Sequence, residues 1–455
     1  MAQTYPPGPK STVPLGNIRL LQKERLNFLT TNREKYGDIV HFQLGKRHFY
    51  QLNDPDSIQY VLVKHPEMVN KSPALKNTTR QTIGQGMLTS DGEFHKRQRR
   101  LVQPAFHSKR IAAYADIMVN YTRDMLDEWH GDDEREISHE MMKLTMRIVS
   151  KTLFDADVSE DADSIGGAIT IGIQSAAERI TQPIHLPDWM PTRKNRQRRH
   201  SAQIIEKAVM GMIDERRALG EDKGDLLSML LLAVDEADGG QMTNRQVRDE
   251  AMTLFIAGHE TTANALAWAL YLLSQNPDAD AKLYEELHSV LGGRTPTMAV
   301  LPKLVYTDMV VKETMRMYPP AFAITREVAA AFELNGYAIP KGSILLMSQY
   351  VMHHDPRYFP EPDRFQPERF APEYEDHLPK YAYFPFGGGP RICIGNQFAQ
   401  MEAVLVLATI MESFHMSLMP GQTIVPSPLI TLRPKYGLQM TLTAREPAVS
   451  PEKVI

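Results

Sequence analysis

Apolar residues recur at three- and four-residue intervals along most of this chain, and only short stretches alternate in twos. The helical period predicts helices over about 23–36, 111–130, 138–153, 163–180, 194–219, 243–275 and 304–317, with the stretch LPDWMP between the fourth and the fifth. The 243–275 stretch is the longest; at 1.5 Å per residue it would run roughly 50 Å, across the whole molecule, and Pro277 is expected to close it. Ser90 and Glu93 read as a capping box for a helix that ends before Pro104. The 304–317 helix stops at Pro319-Pro320, because a residue ahead of proline avoids the αR region. Alternation near 39–44 and 48–52, split by Gly45-Lys46, predicts a hairpin. Short strands, a proline-rich meander over 355–372, a glycine-rich loop with its helix and a β-rich tail complete the order. The fold class expected is mainly α with small β-sheets.

No Gly/Ser linker, charge block or repeat divides the 455 residues, so one domain over 1–455 is expected. A net charge of −4 gives no basic field for nucleic acid. The run PTRKNRQRR ending at Arg199 lacks interleaved aromatics and reads as a solvated helix face. A single cysteine makes no internal disulfide, which points to a reducing compartment. The longest apolar runs, 265–273 and 403–411, are about half of the ~20 residues a membrane span needs. A cytoplasmic protein without a membrane anchor is expected.

That lone cysteine, Cys393, sits in FGGGPRICIG, residues 386–395. Gly387, Gly388, Gly389 and Pro390 force an irregular loop, and Gly395 lets the chain turn into an apolar helix. The thiol then faces a helix N-terminus, whose orphan N–H groups and dipole favour a thiolate. An inert buried cysteine is the competing reading. Zinc would want further Cys or His ligands nearby, and the segment has none; haem iron needs one axial ligand from the protein.

A second group lies in the long helix. AGHETT, residues 257–262, sets small residues ahead of an acid and a hydroxyl, flanked by apolar Leu254, Phe255, Ile256, Leu266 and Trp268. Ala257 and Gly258 would let a flat ligand lie against the helix. Thr261 can bond back to the Ala257 carbonyl and open the ladder for water. Taken alone, Glu260 could equally be a surface-facing acid and Thr261 an ordinary back-bonded threonine. Glu313 and Arg316, three apart, share a helix face, a spacing that usually makes a solvated ion pair.

FGGGPRICIG resembles the haem-binding loop of the cytochromes P-450. That pattern is Phe, two residues, Gly, any, Arg, any, Cys, any, Gly; Phe386, Gly389, Arg391, Cys393 and Gly395 fill its fixed positions. The order of elements is similar over essentially the whole chain. The resemblance implies a cytochrome P-450 fold enclosing haem b, with Cys393 as iron ligand, and a monooxygenase inserting one atom of O2 into a hydrophobic substrate. It implies that Glu260 and Thr261 are the oxygen-activating acid–alcohol pair, since splitting dioxygen consumes two protons. It implies a buried network of Glu313, Arg316 and Arg369 behind the cysteine loop. The haem propionates would meet Arg99, Arg391, Arg326 and His95, the last depending on its protonation where many relatives have Trp. Phe386, Leu88, Ala257 and Gly258 would border the ring.

By the same resemblance Met87, Leu88, Ile256, Ala257, Ala321, Phe322, Ala323, Ile324 and residues 429–432, Leu429 first, frame the substrate. All are apolar except Thr431. The wording AGHETT, and a hairpin carrying Lys46, Arg47 and Tyr50, are similar to the fatty-acid hydroxylating branch, in which a cation at a channel mouth could hold a carboxylate. Pro6-Pro7-Gly8-Pro9 resembles the hinge that follows the anchor in membrane-bound relatives, here without the anchor. About sixty residues follow Cys393, so no fused reductase is expected. Electrons would come from reduced nicotinamide cofactor through a reductase and a ferredoxin or flavodoxin, steered by Lys96, Arg97, Arg100, Lys109 and Arg110. Two other classes compete: a peroxide-driven peroxygenase or haem-thiolate isomerase, whose members commonly lose the acid–alcohol pair, and a non-catalytic haem carrier or sensor.

Overall fold

The computed structural model describes residues 5–10, 16–181, 189–234 and 239–445. Its axis is the helix Asn244–Gln275. Thr243 caps it, accepting from Gln246 N while the Gln246 side chain answers the Thr243 backbone. The helices Ile137–Phe154, Arg193–Leu219, Val305–Met317 and Asn396–Ser413 pack around it. Contact on nearly every side buries this helix almost all round, polar Asp249, Glu250, His259, Glu260 and Asn264 included.

Several boundaries differ from the sequence expectation. Pro277 does not merely end the long helix: it occupies the first turn of the next, Pro277–Leu291, where its missing N–H costs nothing. The 23–36 stretch forms the helix Arg25–Tyr36, and a separate helix, Gly16–Lys23, precedes it across a break at Glu24. The 111–130 stretch divides into two, Ser108–Ala113 and Ala115–Leu126. Pro73–Ile83, Leu226–Leu232 and Pro277–Leu291 are helices that the expected ranges do not include, as are the one-turn pieces Pro55–Gln59, Gln349–His353 and Pro372–Glu375. The helix Gly92–Val102 forms, but its capping box does not. Asp91 holds the N-cap position and turns its carboxylate to Lys71 N, while Glu93 pairs with Lys96. Residues 182–188, which include the first half of LPDWMP, lie outside the described residues.

The hairpin Ile39–Leu44 and Arg47–Leu52 opens a five-stranded sheet, joined next by Ile344–Met347, Ile324–Val328 and Val69–Lys71. Tyr50, Leu52, Ile58 and Met347 centre a separate small core under this sheet. Tyr50 is fully buried there, whereas Lys46 and Arg47 of the same hairpin are exposed. Near the end of the chain, Pro426–Pro428 and Leu432–Pro434 form a tight hairpin. No described helix is long and apolar enough to cross a membrane.

Candidate functional site

The cysteine loop is shaped by glycine at two points. Gly389 has φ +65°, and a Cβ there would sit 1.8 Å from the Leu62 carbonyl oxygen. Gly387, φ +74°, lies against Ile324. Cys393 N donates to Phe386 O at 3.0 Å, closing the loop, and Gly395 caps Asn396–Ser413. Cys393 is exposed even though protein surrounds it. Its sulfur therefore opens onto interior space. Burial pushes the thiol pKa up; the Gly395 N–H and the Arg99 guanidinium pull the other way and do not prevail. The loop donors alone do not offset burial, so the loop by itself does not favour the thiolate as expected.

Behind the loop, Arg316 donates to both Glu313 oxygens and, through Nη1, to His353 O at 2.9 Å. Gln366 N also reaches Glu313, at 2.9 Å. Arg369 Nε stands 3.5 Å from Glu313 Oε1. His353 Nε2 then accepts from Phe384 N at 3.0 Å, two residues ahead of the loop. The three charged residues meet as a set, and His353, which the sequence reading missed, links them to the loop backbone.

Along the long helix, Ala257 is exposed and Ile256, Gly258 and Thr261 are half-buried, although the flanking turns are buried. Exposure in the middle of a packed helix marks a hollow. Gly258 is turned away from it: a Cβ there would come 3.0 Å from Val149, so its smallness serves packing on Ile137–Phe154 and not a flat ligand. Thr261 Oγ1 donates to Ala257 O at 3.0 Å. Glu260 is only 2% exposed. Its Oε1 accepts from Thr431 Oγ1 (2.7 Å), Asn264 Nδ2 (3.0 Å) and Arg433 Nη2, and Oε2 has no partner. This acid does not face solvent. Asn264, four residues on, was within reach of a sequence reading; Arg433, on the tail hairpin, was not.

A cluster of cations borders the same region. Arg391 donates to Pro66 O and Val69 O and lies 3.4 Å from Asp91. Arg326 is buried, with Nε unpartnered; burial first, then Arg391, lowers its pKa to about 10. Lys71, missed from sequence, donates to Met87 O; burial brings its pKa down to about 7, with Arg326 and Arg391 adding to the effect. His95 is pushed to about 4 by burial and then by Lys71, Arg391 and Arg99, so it is a neutral donor or acceptor and not a cation. Arg99 bonds instead to Ile392 O at 2.7 Å, beside the cysteine. Among the described residues, the carboxylates that oppose the charges of Lys71 and Arg326 are Asp91 and Glu250. A surplus of buried cations calls for an anionic ligand. Together with an accessible sulfur and a hollow along a helix, it fits a flat iron porphyrin carrying two carboxylates.

The segment 84–90 is fastened to the long helix by consecutive carboxylates. Gln85 N donates to Asp249 at 2.8 Å and Met87 N to Glu250 at 2.9 Å. A Cβ on Gly86 would meet Thr253 Oγ1 at 2.2 Å. Met87 is buried and Leu88 is 40% exposed beside it. On the opposite side Phe322 is buried, with Ala321, Ala323 and Ile324 half-buried. Leu432 N donates to Pro320 O (2.9 Å) and Trp268 Nε1 to Leu432 O (3.0 Å), which ties this segment and the Leu429 turn to the long helix.

Residues 6–442 match the family model described as Cytochrome P450. The chain is 38% identical to cyclooctatin synthase of Streptomyces melanosporofaciens, over 96% of this chain and 93% of that protein. It is 35% identical to cyclooctat-9-en-7-ol 5-monooxygenase of the same organism, over 91% and 90%. To pentalenene oxygenase of Streptomyces avermitilis it is 30% identical, over 95% and 96%.

Proposed function

The chain belongs to the cytochrome P450 family, and from that premise we propose that its substrate is a cyclic, largely hydrocarbon molecule of the terpenoid kind. It is a monooxygenase that uses haem b. The bound haem, held through a thiolate, supplies reductive activation of dioxygen. In this reading Cys393 holds the iron, and Arg391, Arg326, Lys71 and neutral His95 hold the propionates. Ala257, whose side chain is a single methyl and which is exposed, would leave room for the flat group. Met87, Leu88, Phe322 and Leu429 exclude water from the guest. Thr261 Oγ1 is one rotation away from presenting its proton to the hollow. Glu260 Oε2, the free oxygen of the adjacent carboxylate, is the atom that replaces it, while Thr431 and Arg433 hold Oε1.

The observation that carries the reading is the sulfur of Cys393, accessible inside surrounding protein. The substrate class is supported by the names of two relatives, which specify oxygenation of cyclooctat-9-en-7-ol and of pentalenene. For a fatty-acid guest the hairpin offers the exposed cations Lys46 and Arg47. Electrons come in this proposal from a separate ferredoxin- or flavodoxin-type donor and its nicotinamide-dependent reductase. A cleft of about 600 Å³ beside Pro390, with Lys96, Arg99, Arg100 and His107 on its walls, supports docking of an acidic protein there. The intact pair Glu260 and Thr261 favours this over a peroxide-driven reaction.

Two measurements test it. The reduced protein under carbon monoxide should show the red-displaced Soret band of sulfur-ligated haem. A screen of the haem spin-state change should then rank terpenoids above fatty acids, steroids and simple aromatics; a clear preference for fatty acids would remove the substrate assignment.

A further inference from the structure

Arg25 begins the helix Arg25–Tyr36 and is half-buried. Its Nη1 donates to Pro428 O at 2.8 Å and Leu429 O at 3.2 Å. The guanidinium carbon stands 5.8 Å from the centre of the Phe322 ring. Phe322 and Leu429 both belong to the substrate wall proposed above. The hairpin that Arg25 grips at 428–429 is the one that reaches Glu260 through Thr431 and Arg433. A cation therefore touches the wall on the far side of the hairpin from the proton relay.

The remaining donors of Arg25 are unused. Among the described residues neither Nε nor Nη2 makes a hydrogen bond, and no carboxylate pairs with the group. Burial lowers its pKa to about 10 with no anion opposing it. Three other deeply placed guanidinium groups behave differently: Arg216 faces Asp225, Arg316 faces Glu313 and Arg433 faces Glu260. Arg326, which pairs with no carboxylate by contact, stands in the cluster assigned to the propionates. An arginine without a protein anion thus already has one counterpart in this molecule, where the proposed function sets a propionate oxygen. Nε and Nη2 of Arg25 are not among the buried unpartnered atoms, so they stay open to an incoming oxygen acceptor.

We infer that Arg25 is a specificity residue that donates hydrogen bonds to an oxygen, hydroxyl or carboxylate, already carried by the substrate away from the carbon to be oxidised. This deepens the proposed function and rests on its placement of the pocket wall. It makes the guest an oxygenated skeleton and not a bare hydrocarbon. The reaction that supplies the substrate must then install an oxygen, as a prior hydroxylation does, or unmask one, as the hydrolysis of an ester does.

Three ligands of one skeleton test it: farnesene, farnesol and farnesoic acid, titrated into the haem-loaded protein by the spin-state change. The unaltered protein should bind the alcohol and the acid at least about tenfold more tightly than the hydrocarbon. Arg25→Met should weaken both by about 10- to 100-fold and leave farnesene within about twofold; Arg25→Lys should recover part of the acid affinity. Equal weakening of all three ligands would make Arg25 a strut for the 428–429 turn and overturn the inference. So would the absence of any preference in the unaltered protein, or of any change in Arg25→Met. A missing sulfur-ligated haem band would instead strike the proposed function, so the two failures separate.

Discussion

Arg316 and Glu313 meet through two parallel bonds, Nε to Oε2 at 2.7 Å and Nη2 to Oε1 at 2.9 Å, with both side chains fully buried. Desolvation raises the Glu313 pKa, and the Arg316 guanidinium works against it. Replacing Arg316 by Leu would leave that carboxylate buried without its main partner, at a cost of about 3–5 kcal/mol. Because Arg316 also holds His353, and His353 holds Phe384, the loop before Cys393 should loosen. Expected are a protein that retains little haem and a marked fall in Tm, read from the haem-to-protein absorbance ratio and a thermal melt. Full haem content with an unchanged melt would show that the network does not support the loop.

Thr261→Ala should leave haem content and substrate affinity as they are. Product per reduced nicotinamide should fall about tenfold or more, with the missing electrons recovered as hydrogen peroxide. Thr261→Ser, which keeps the hydroxyl, should restore most of the yield. Unaltered coupling in the alanine variant would remove the hydroxyl from proton delivery.

Arg433→Leu leaves Glu260 Oε1 with Thr431 and Asn264 alone. The carboxylate should lose its fixed position and coupling should drop several-fold, while the carbon monoxide band stays in place. Arg433→Lys should recover part of the yield, because the charge is kept and the fork is not. A changed solvent isotope effect on turnover would distinguish proton delivery from altered packing. If the leucine variant kept both yield and isotope effect, the hairpin cation would have no part in the relay.

Glu250 gives a pH signature. Burial raises its pKa from 4.5 to about 7; the Met87 N–H and Lys71 oppose the shift, and Asp249 adds to it. The folded protein therefore holds a proton that the unfolded chain releases between about pH 4.5 and 7, and this group's contribution to stability is lost as pH rises through that window. Glu250→Gln removes the titration. The melting temperature of the variant minus that of the unaltered protein should climb from pH 4.5 to 7 and flatten above it. A constant difference across the window would mean that Glu250 is ionised throughout.

What could be read in advance divides by distance along the chain. Cys393, Arg391 and Gly389 share one ten-residue loop, and Glu313 with Arg316 one helix face, so local spacing named them. Glu250 reaches Met87 from 163 positions away and Arg433 reaches Glu260 from 173; no periodicity encodes such partners. Lys71 escaped notice because a lysine on a three-residue strand has no local pattern to join. Local reasoning also failed where a stronger competitor stood next door: Ser90 was expected to cap Gly92–Val102, but Asp91 takes the position and ties Lys71, Lys76 and Arg391. Gly258 shows the opposite error, a small residue credited to a ligand when its neighbour is Val149.

The tail hairpin, Pro426–Pro428 with Leu432–Pro434, supplies both the Leu429 edge of the chamber and the Thr431–Arg433 grip on Glu260. Shape selection and fuel economy are therefore inherited together. A lineage that drifts in this hairpin toward a new guest also resets how often its electrons are wasted, so compensating changes should surface at Asn264 and Thr261, on the far side of the acid.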